Sequence, residues 1–115
     1  MSSKTRDQRA GVFAALGDPT RLELVDALAG GLPRSISELS AHSRMTRQAV
    51  TKHLGVLEHA GVVRRRRSGR STFYQLEPDS LRSMREYLDQ VSCQWEAALG
   101  RLKAFVENDG APPAG

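Results

Sequence analysis

The chain predicts a mainly α fold of five helices with one small β-hairpin. Three observations predict it. Apolar residues recur at helical spacing in five stretches separated by Gly, Pro and capping residues. Residues 35–60 read as a short helix, a tight turn and a longer helix. Val62-Val63 and four consecutive arginines, Arg64 to Arg67, then fold back on a Ser68-Gly69 turn signal into Thr72-Phe73-Tyr74-Gln75-Leu76. Helix, turn, helix and hairpin in that order describe a winged helix-turn-helix.

The elements follow in order. Residues 1–6 carry no apolar pattern and are expected to be disordered. With no apolar segment behind them, they do not read as a signal peptide. The first helix is expected from about Asp7 to Leu16, with Val12, Phe13 and Leu16 on one face, and Gly17 stops it. Asp18-Pro19 opens the second helix, with Asp18 as N-cap and Pro19 at the first helical position, where its missing N–H costs nothing. This helix runs to about Ala29 and is expected to bury Leu22, Val25 and Leu28; Gly30-Gly31 and Pro33 end it. Ser35-Ile36-Ser37-Glu38 fits the Ser-x-x-Glu capping box of a third helix, about Ile36 to Ser43. Arg44-Met45 form the turn, with Met45 as its buried plug. Thr46 caps a fourth helix in which Val50, Leu54 and Leu57 face inward and Arg47, Gln48, Thr51 and Lys52 outward. Gly61 caps its end.

The last helix is expected over residues 78–107, with residues 108–115 as a disordered tail rich in Gly, Ala and Pro. Leu81, Met84, Leu88, Val91, Trp95, Ala98, Leu102 and Phe105 recur at alternating steps of three and four. A seven-residue repeat kept for so long describes a seam that faces another helix. About 30 residues of helix span roughly 45 Å, near the diameter of a whole domain of this size, so the expected partner is a second copy of the chain.

Charge narrows the function. The net charge is +4 over 115 residues, but residues 34–76 carry nine basic side chains against Glu38 and Glu58, a balance of +7. Positive charge concentrated on a helix-turn-helix is the electrostatic footprint of a nucleic-acid binder, so double-stranded DNA is the expected partner. A protein-interaction module of the same shape is the competing class, and the basic segment argues against it. No nucleophile–base pair, Gly-rich phosphate loop or metal cluster stands out, so no enzyme and no cofactor is expected. No apolar run approaches the ~20 residues of a membrane span. Cys93 is the single cysteine, and the expected location is the cytoplasm.

Several joined motifs resemble one family. Phe13-Ala14-Ala15-Leu16-Gly17-Asp18-Pro19-Thr20-Arg21-Leu22 resembles the opening signature of the ArsR/SmtB winged-helix repressors. Ser37-Glu38-Leu39, Val50-Thr51-Lys52-His53-Leu54-Gly55-Val56-Leu57 and Ala60-Gly61-Val62-Val63 follow in order. Arg67-Ser68-Gly69-Arg70 and Phe73-Tyr74-Gln75-Leu76 are similar to the family's wing, and the likeness covers about residues 10–105. The resemblance implies a homodimer formed by the first and fifth helices, with Val12, Phe13, Leu81, Met84, Leu88, Val91, Trp95 and Leu102 at the interface. It implies DNA contacts from Thr46, Arg47, Gln48, Thr51, Lys52 and His53 on the fourth helix. Arg47 suits a bidentate pair with guanine and Gln48 one with adenine; Thr46 and Thr51 suit phosphate or a thymine methyl; Lys52 suits phosphate. His53 either bonds a phosphate or braces its helix against the domain.

On a strand, Arg64 and Arg66 point one way and Arg65 and Arg67 the other, so one pair is expected to face DNA and the other acids or solvent. Arg67 and Arg70 are the expected wing contacts, with Arg65 as a further candidate. Metal-sensing members of the family use cysteine pairs on the third helix, or Asp, His and Glu sets on the fifth. This chain has neither, which places it with the members that do not sense metals. Cys93 lies off the seam, as either a redox switch or an inert helix residue.

Overall fold

The computed structural model describes residues 3–108. The elements run α1 (Ser3–Leu16), α2 (Pro19–Leu28), β1 (Arg34–Ser35), α3 (Ile36–Ala41), α4 (Arg47–His59), β2 (Val63–Ser68), β3 (Ser71–Leu76) and α5 (Pro78–Glu107). This is a winged helix-turn-helix. The chain divides into two compact units, one ending at Leu81 and the other beginning at Arg82.

In the first unit, α1 begins at Ser3 rather than Asp7, so residues 3–6 are helical where disorder was expected. Lys4, Arg6 and Gln8 are good helix formers, no Pro interrupts the stretch, and the helix runs through Gly11 to stop at Gly17. Met1, Ser2 and residues 109–115 of the expected tail lie outside the described residues. Helix α1 packs on α2 and α4. That packing buries Val12 and Ala15 in the chain's own core, with Val12 only 8% exposed, and leaves Phe13 half-buried. Val12, expected at a subunit interface, is thus already nearly covered within its own chain.

At the start of α2, the Asp18 carboxylate accepts from the N–H groups of Thr20 (2.8 Å) and Arg21 (3.0 Å), as an N-cap does. The Arg21 N–H is the main cause holding the Asp18 carboxyl below its ordinary value of 3.8; partial loss of water opposes it and the Thr20 N–H adds to it. The inward residues of α2 are Leu24 and Leu28, while Leu22 is 45% exposed and Val25 half-buried. Residues two apart on a helix point about 200° apart, so Leu22 and Leu24 cannot share one face, and the i, i+4 pair won.

The expected hairpin is one part of a three-stranded antiparallel sheet in the order β1-β3-β2. Arg34 pairs with Tyr74 and Ser35 with Phe73. Ser35 then caps α3: its hydroxyl accepts from the Glu38 N–H (3.1 Å), and Glu38 Oε1 accepts from the Ser35 N–H (3.2 Å). Helix α3 ends at Ala41, two residues early, with His42 as its C-cap. In the turn, the Ser40 hydroxyl donates to the Met45 carbonyl (3.2 Å) and the Met45 N–H to the Ser43 hydroxyl (3.3 Å). Met45 is half-buried, so the turn is held by these hydrogen bonds as much as by an apolar plug.

Helix α4 buries Val50, Leu54 and Leu57 completely. Its end is a Schellman motif: Gly61 takes a positive φ of 83°, its N–H bonds the Glu58 carbonyl, and the Val62 N–H bonds the Leu57 carbonyl. The turn sends Val62 and Val63 into the core and starts the hairpin, where Gly69 (φ 61°) supplies the tight reversal. Tyr74 is the buried ring of the hairpin, and Phe73 is half-buried.

In the second unit, α5 continues to Glu107 with no residue buried. Leu88, Val91, Trp95 and Leu102 are exposed, Trp95 by 62%, and Leu99 and Val106 widen the apolar stripe beyond the expected positions. Met84 and Ala98 are half-buried. No helix among the described residues is long and apolar enough to cross a membrane.

Candidate nucleic-acid interface

The outer face of α4 carries Arg47, Gln48, Thr51 and Lys52, all exposed. The inward stripe of Val50, Leu54 and Leu57 forces this: with that face buried, the residues between must point out. The side chains of Arg47, Gln48 and Lys52 have no partner among the described residues, so five guanidinium donors, an amide and an ammonium stand free for an external ligand.

The two threonines are more constrained. The Thr46 hydroxyl accepts from the Ala49 N–H (3.1 Å), which completes the cap and leaves its proton free to donate outward. Thr51 donates its proton to the Arg47 carbonyl (2.8 Å). Phosphate oxygens only accept, so with that proton committed Thr51 presents its methyl group and a hydroxyl lone pair.

His53 is half-buried and lies off the outer face. Its Nδ1 stands 3.5 Å from Arg21 Nη1, and Arg21 Nε donates to the Ala15 carbonyl at the end of α1. Arg21 therefore joins three helices. Its role was not legible in the sequence beyond its place in the Asp18-Pro19-Thr20-Arg21 stretch.

The wing departs from the alternation expected of it. Opposed residues of the hairpin share a face, so Arg65 and Arg67 lie with Tyr74 and Thr72, and Arg64 and Arg66 with Gln75 and Phe73. Each face spends its inner arginine on an acid: Arg65 Nε lies 3.4 Å from Glu58 Oε2, and Arg64 Nη1 lies 3.8 Å from Glu77 Oε2. The reason is that Glu58 ends α4 and Glu77 follows β3, both at the base of the hairpin. Arg66, Arg67 and Arg70, nearer the tip, are exposed and have no partner among the described residues. Position along the hairpin, rather than parity, separates the held arginines from the free ones. Arg65 is correspondingly a restrained contact candidate, and Arg66 joins Arg67 and Arg70. Arg44, exposed in the turn before α4, extends the same basic surface.

An open cavity of ≈ 560 Å³ lies beside that turn, lined by Thr20, Glu23, His42, Ser43, Arg44 and Met45 among others. Among the described residues no group of three or more His, Cys, Asp or Glu side chains comes together, and Cys93 is a free, exposed thiol.

The geometry agrees with what the chain is similar to. A helix-turn-helix domain family matches residues 16–66. The HTH-type transcriptional regulator Rv2034 of Mycobacterium tuberculosis is 36% identical over 110 residues, which cover 96% of this chain and 97% of that protein. A transcriptional repressor of Synechocystis, an SmtB homolog, is 34% identical over 92 residues, 79% of this chain and 69% of that one. The solved structure of an ArsR-like transcriptional regulator from Rhodococcus sp. RHA1 superposes with a TM-score of 0.77 at 32% identity, covering 89% of this chain and 95% of that chain. With a helix-turn-helix, a three-stranded wing and a regulator of this family matched over nearly its whole length, the chain belongs to the ArsR/SmtB family of winged helix-turn-helix transcriptional regulators.

Proposed function

We propose that the chain is a homodimeric, sequence-specific DNA-binding repressor that reads an inverted repeat, its own promoter included, and works in the cytoplasm without a metal. The observation that carries this reading is a set of cations with no partner among the described residues, on one helix and one wing: Arg47 and Lys52 on α4, and Arg66, Arg67 and Arg70 on the hairpin. Exposed charges so placed suit a polyanion, and binding then releases the counterions of DNA. Within that surface, Arg47 and Gln48 read base edges, Thr51 presents its methyl, and Lys52 and the Thr46 hydroxyl take phosphate. Arg67 and Arg70 lie along the flanking groove, and Arg65 stays with Glu58.

The dimer is supported by α5, whose apolar stripe of Leu81, Leu88, Val91, Trp95 and Leu102 is exposed in the single chain. Met84 lies on the same repeat, and Phe13 of α1 is a separate candidate for the contact with a partner. A two-fold axis would set the two α4 helices in successive major grooves, about 34 Å apart. Bound across a promoter, such a dimer blocks transcription, in keeping with a relative that is named a transcriptional repressor. The donor set argues against a metal co-effector, because Asp and Glu dominate α5 and its one thiol, Cys93, has no histidine on the same helix.

The test is binding of purified protein to the DNA upstream of its own gene and to a scrambled duplex, titrated with salt, with and without EDTA and reductant. Tight, two-fold-symmetric protection of the upstream DNA, unchanged by EDTA, is the expected result. Arg47→Ala is then expected to relax preference at one base pair of each half-site, by about 1–3 kcal/mol. Uniform weakening on every sequence would remove Arg47 from the base readers, and equal weak binding to both duplexes would favour a protein-binding role.

A further inference from the structure

We infer that Arg21 is a positioning residue of the DNA-facing surface: it holds His53 in the tautomer whose Nε2–H donates to a backbone phosphate. The inference rests on the DNA-binding reading above and assigns the half of His53 that reading leaves unused.

Arg21 is fixed before it meets the ring. Its backbone N–H bonds the Asp18 carboxylate at 3.0 Å, and its Nε donates to the Ala15 carbonyl. One guanidinium edge is therefore anchored on the end of α1, and the Nη1 edge faces His53 Nδ1 at 3.5 Å. Arginine has donors only. The ring nitrogen facing it must therefore offer a lone pair, because two N–H groups cannot share that contact. A neutral imidazole carries one proton, so that proton sits on Nε2.

The other ring nitrogen is open. Nε2 has no partner among the described residues, and it is not a buried atom left without one. His53 follows Lys52 on the helix whose outer face carries the free cations. A phosphate oxygen accepts only, so an imidazole with a bare Nε2 would face it lone pair to lone pair, while Nε2–H gives a charge-assisted bond. Arg21, held between α1 and α4, decides which of the two the DNA meets.

The two ring positions can be replaced separately. His53→Asn keeps an acceptor near Nδ1 for Arg21 and deletes the outward donor. His53→Gln puts an amide donor near Nε2 and deletes the acceptor. Long-range ¹H–¹⁵N correlation of the imidazole in free protein reads the tautomer, and titrations against the upstream duplex and a scrambled duplex of the same length read the contact. The expected result is a proton on Nε2 and a bare Nδ1 in the wild type. His53→Asn is expected to lose about tenfold in affinity for each half-site on both duplexes alike, the pattern of a phosphate contact, while keeping its thermal midpoint. His53→Gln is expected to stay within about threefold of wild type. Arg21→Gln is expected to weaken binding in the wild-type background and to add nothing in the His53→Gln background. A proton on Nδ1, or His53→Asn binding as the wild type does, would overturn the inference. Wild-type protein that bound neither duplex would sink the DNA reading and the outward role together. The tautomer, measured without DNA, would still report on the Arg21–His53 contact by itself.

Discussion

Among single residues, the arginines of the wing show how little the residue type decides. Arg64 and Arg65 are each within 4 Å of a carboxylate, while Arg67 and Arg70, a few positions on, have none among the described residues. Exposed ion pairs of this kind contribute little to stability, roughly 0–1 kcal/mol, so their consequence here is the orientation of the wing base and the withdrawal of two cations from DNA. Arg70→Ala is accordingly expected to lower the magnitude of the log–log salt slope of DNA binding by about one for each half-site. Anisotropy titrations at several salt concentrations measure it, and an unchanged slope would take Arg70 off the phosphates. Asp18 gives a second residue-scale expectation. Its carboxyl is held below 3.8, so the ionised cap stabilises the fold above that value, and the contribution is lost as pH falls through the folded-state pKa. Asp18→Asn keeps a neutral cap, and is expected to flatten the loss of stability on the acid side while changing little near neutrality. Thermal midpoints of the two proteins across the acid range decide this, and parallel curves would refute it.

Elements here are set by their ends and by one buried stripe each. The Ser35–Glu38 capping box, the Thr46 cap and the Gly61 Schellman turn place α3 and α4, and between them fix which face of α4 is left outside. Gly55 is the odd residue of α4: it sits in the helix interior, exposed, and an added Cβ would meet nothing within 4 Å. A mid-helix glycine costs about 0.5–1 kcal/mol relative to alanine. Gly55→Ala is therefore expected to raise stability by about that amount, read as a higher urea midpoint with an unchanged slope. A fall in midpoint would mean that the backbone there is not freely helical.

For the molecule as a whole, the unburied α5 stands apart. A helix that buries none of its residues in its own chain, yet carries Leu88, Val91, Trp95 and Leu102 along one repeat, leaves an apolar seam in water unless a partner covers it. Leu88→Asp is expected to place a charge in that seam and convert a dimer to a monomer, seen by sedimentation equilibrium. It is also expected to collapse binding on the full inverted repeat toward that of a single half-site. A Leu88→Asp protein that sediments as wild type would move the partner surface off α5.

Much of this was legible in the chain. Helix α5 falls where its seven-residue repeat puts it, because a long amphipathic period needs no tertiary context to be read. Each cap expected at Asp18, Ser35, Thr46 and Gly61 is made, because a cap is local chemistry between residues a few positions apart. The outer face of α4 follows from its inner stripe in the same way. What the sequence left open was settled by contacts between distant segments. Strand β1 is two residues long, too short to show alternation, and exists only because β3 offers it a free edge. Leu24 displaced Leu22, and Val12 went to its own core, because several faces compete for one interior and only the assembled helices choose. Local propensity and period determined the elements and their outward chemistry. Long-range packing and charge pairing alone decided which arginines are held by Glu58 and Glu77, and that Arg21 meets His53 across 32 positions of chain.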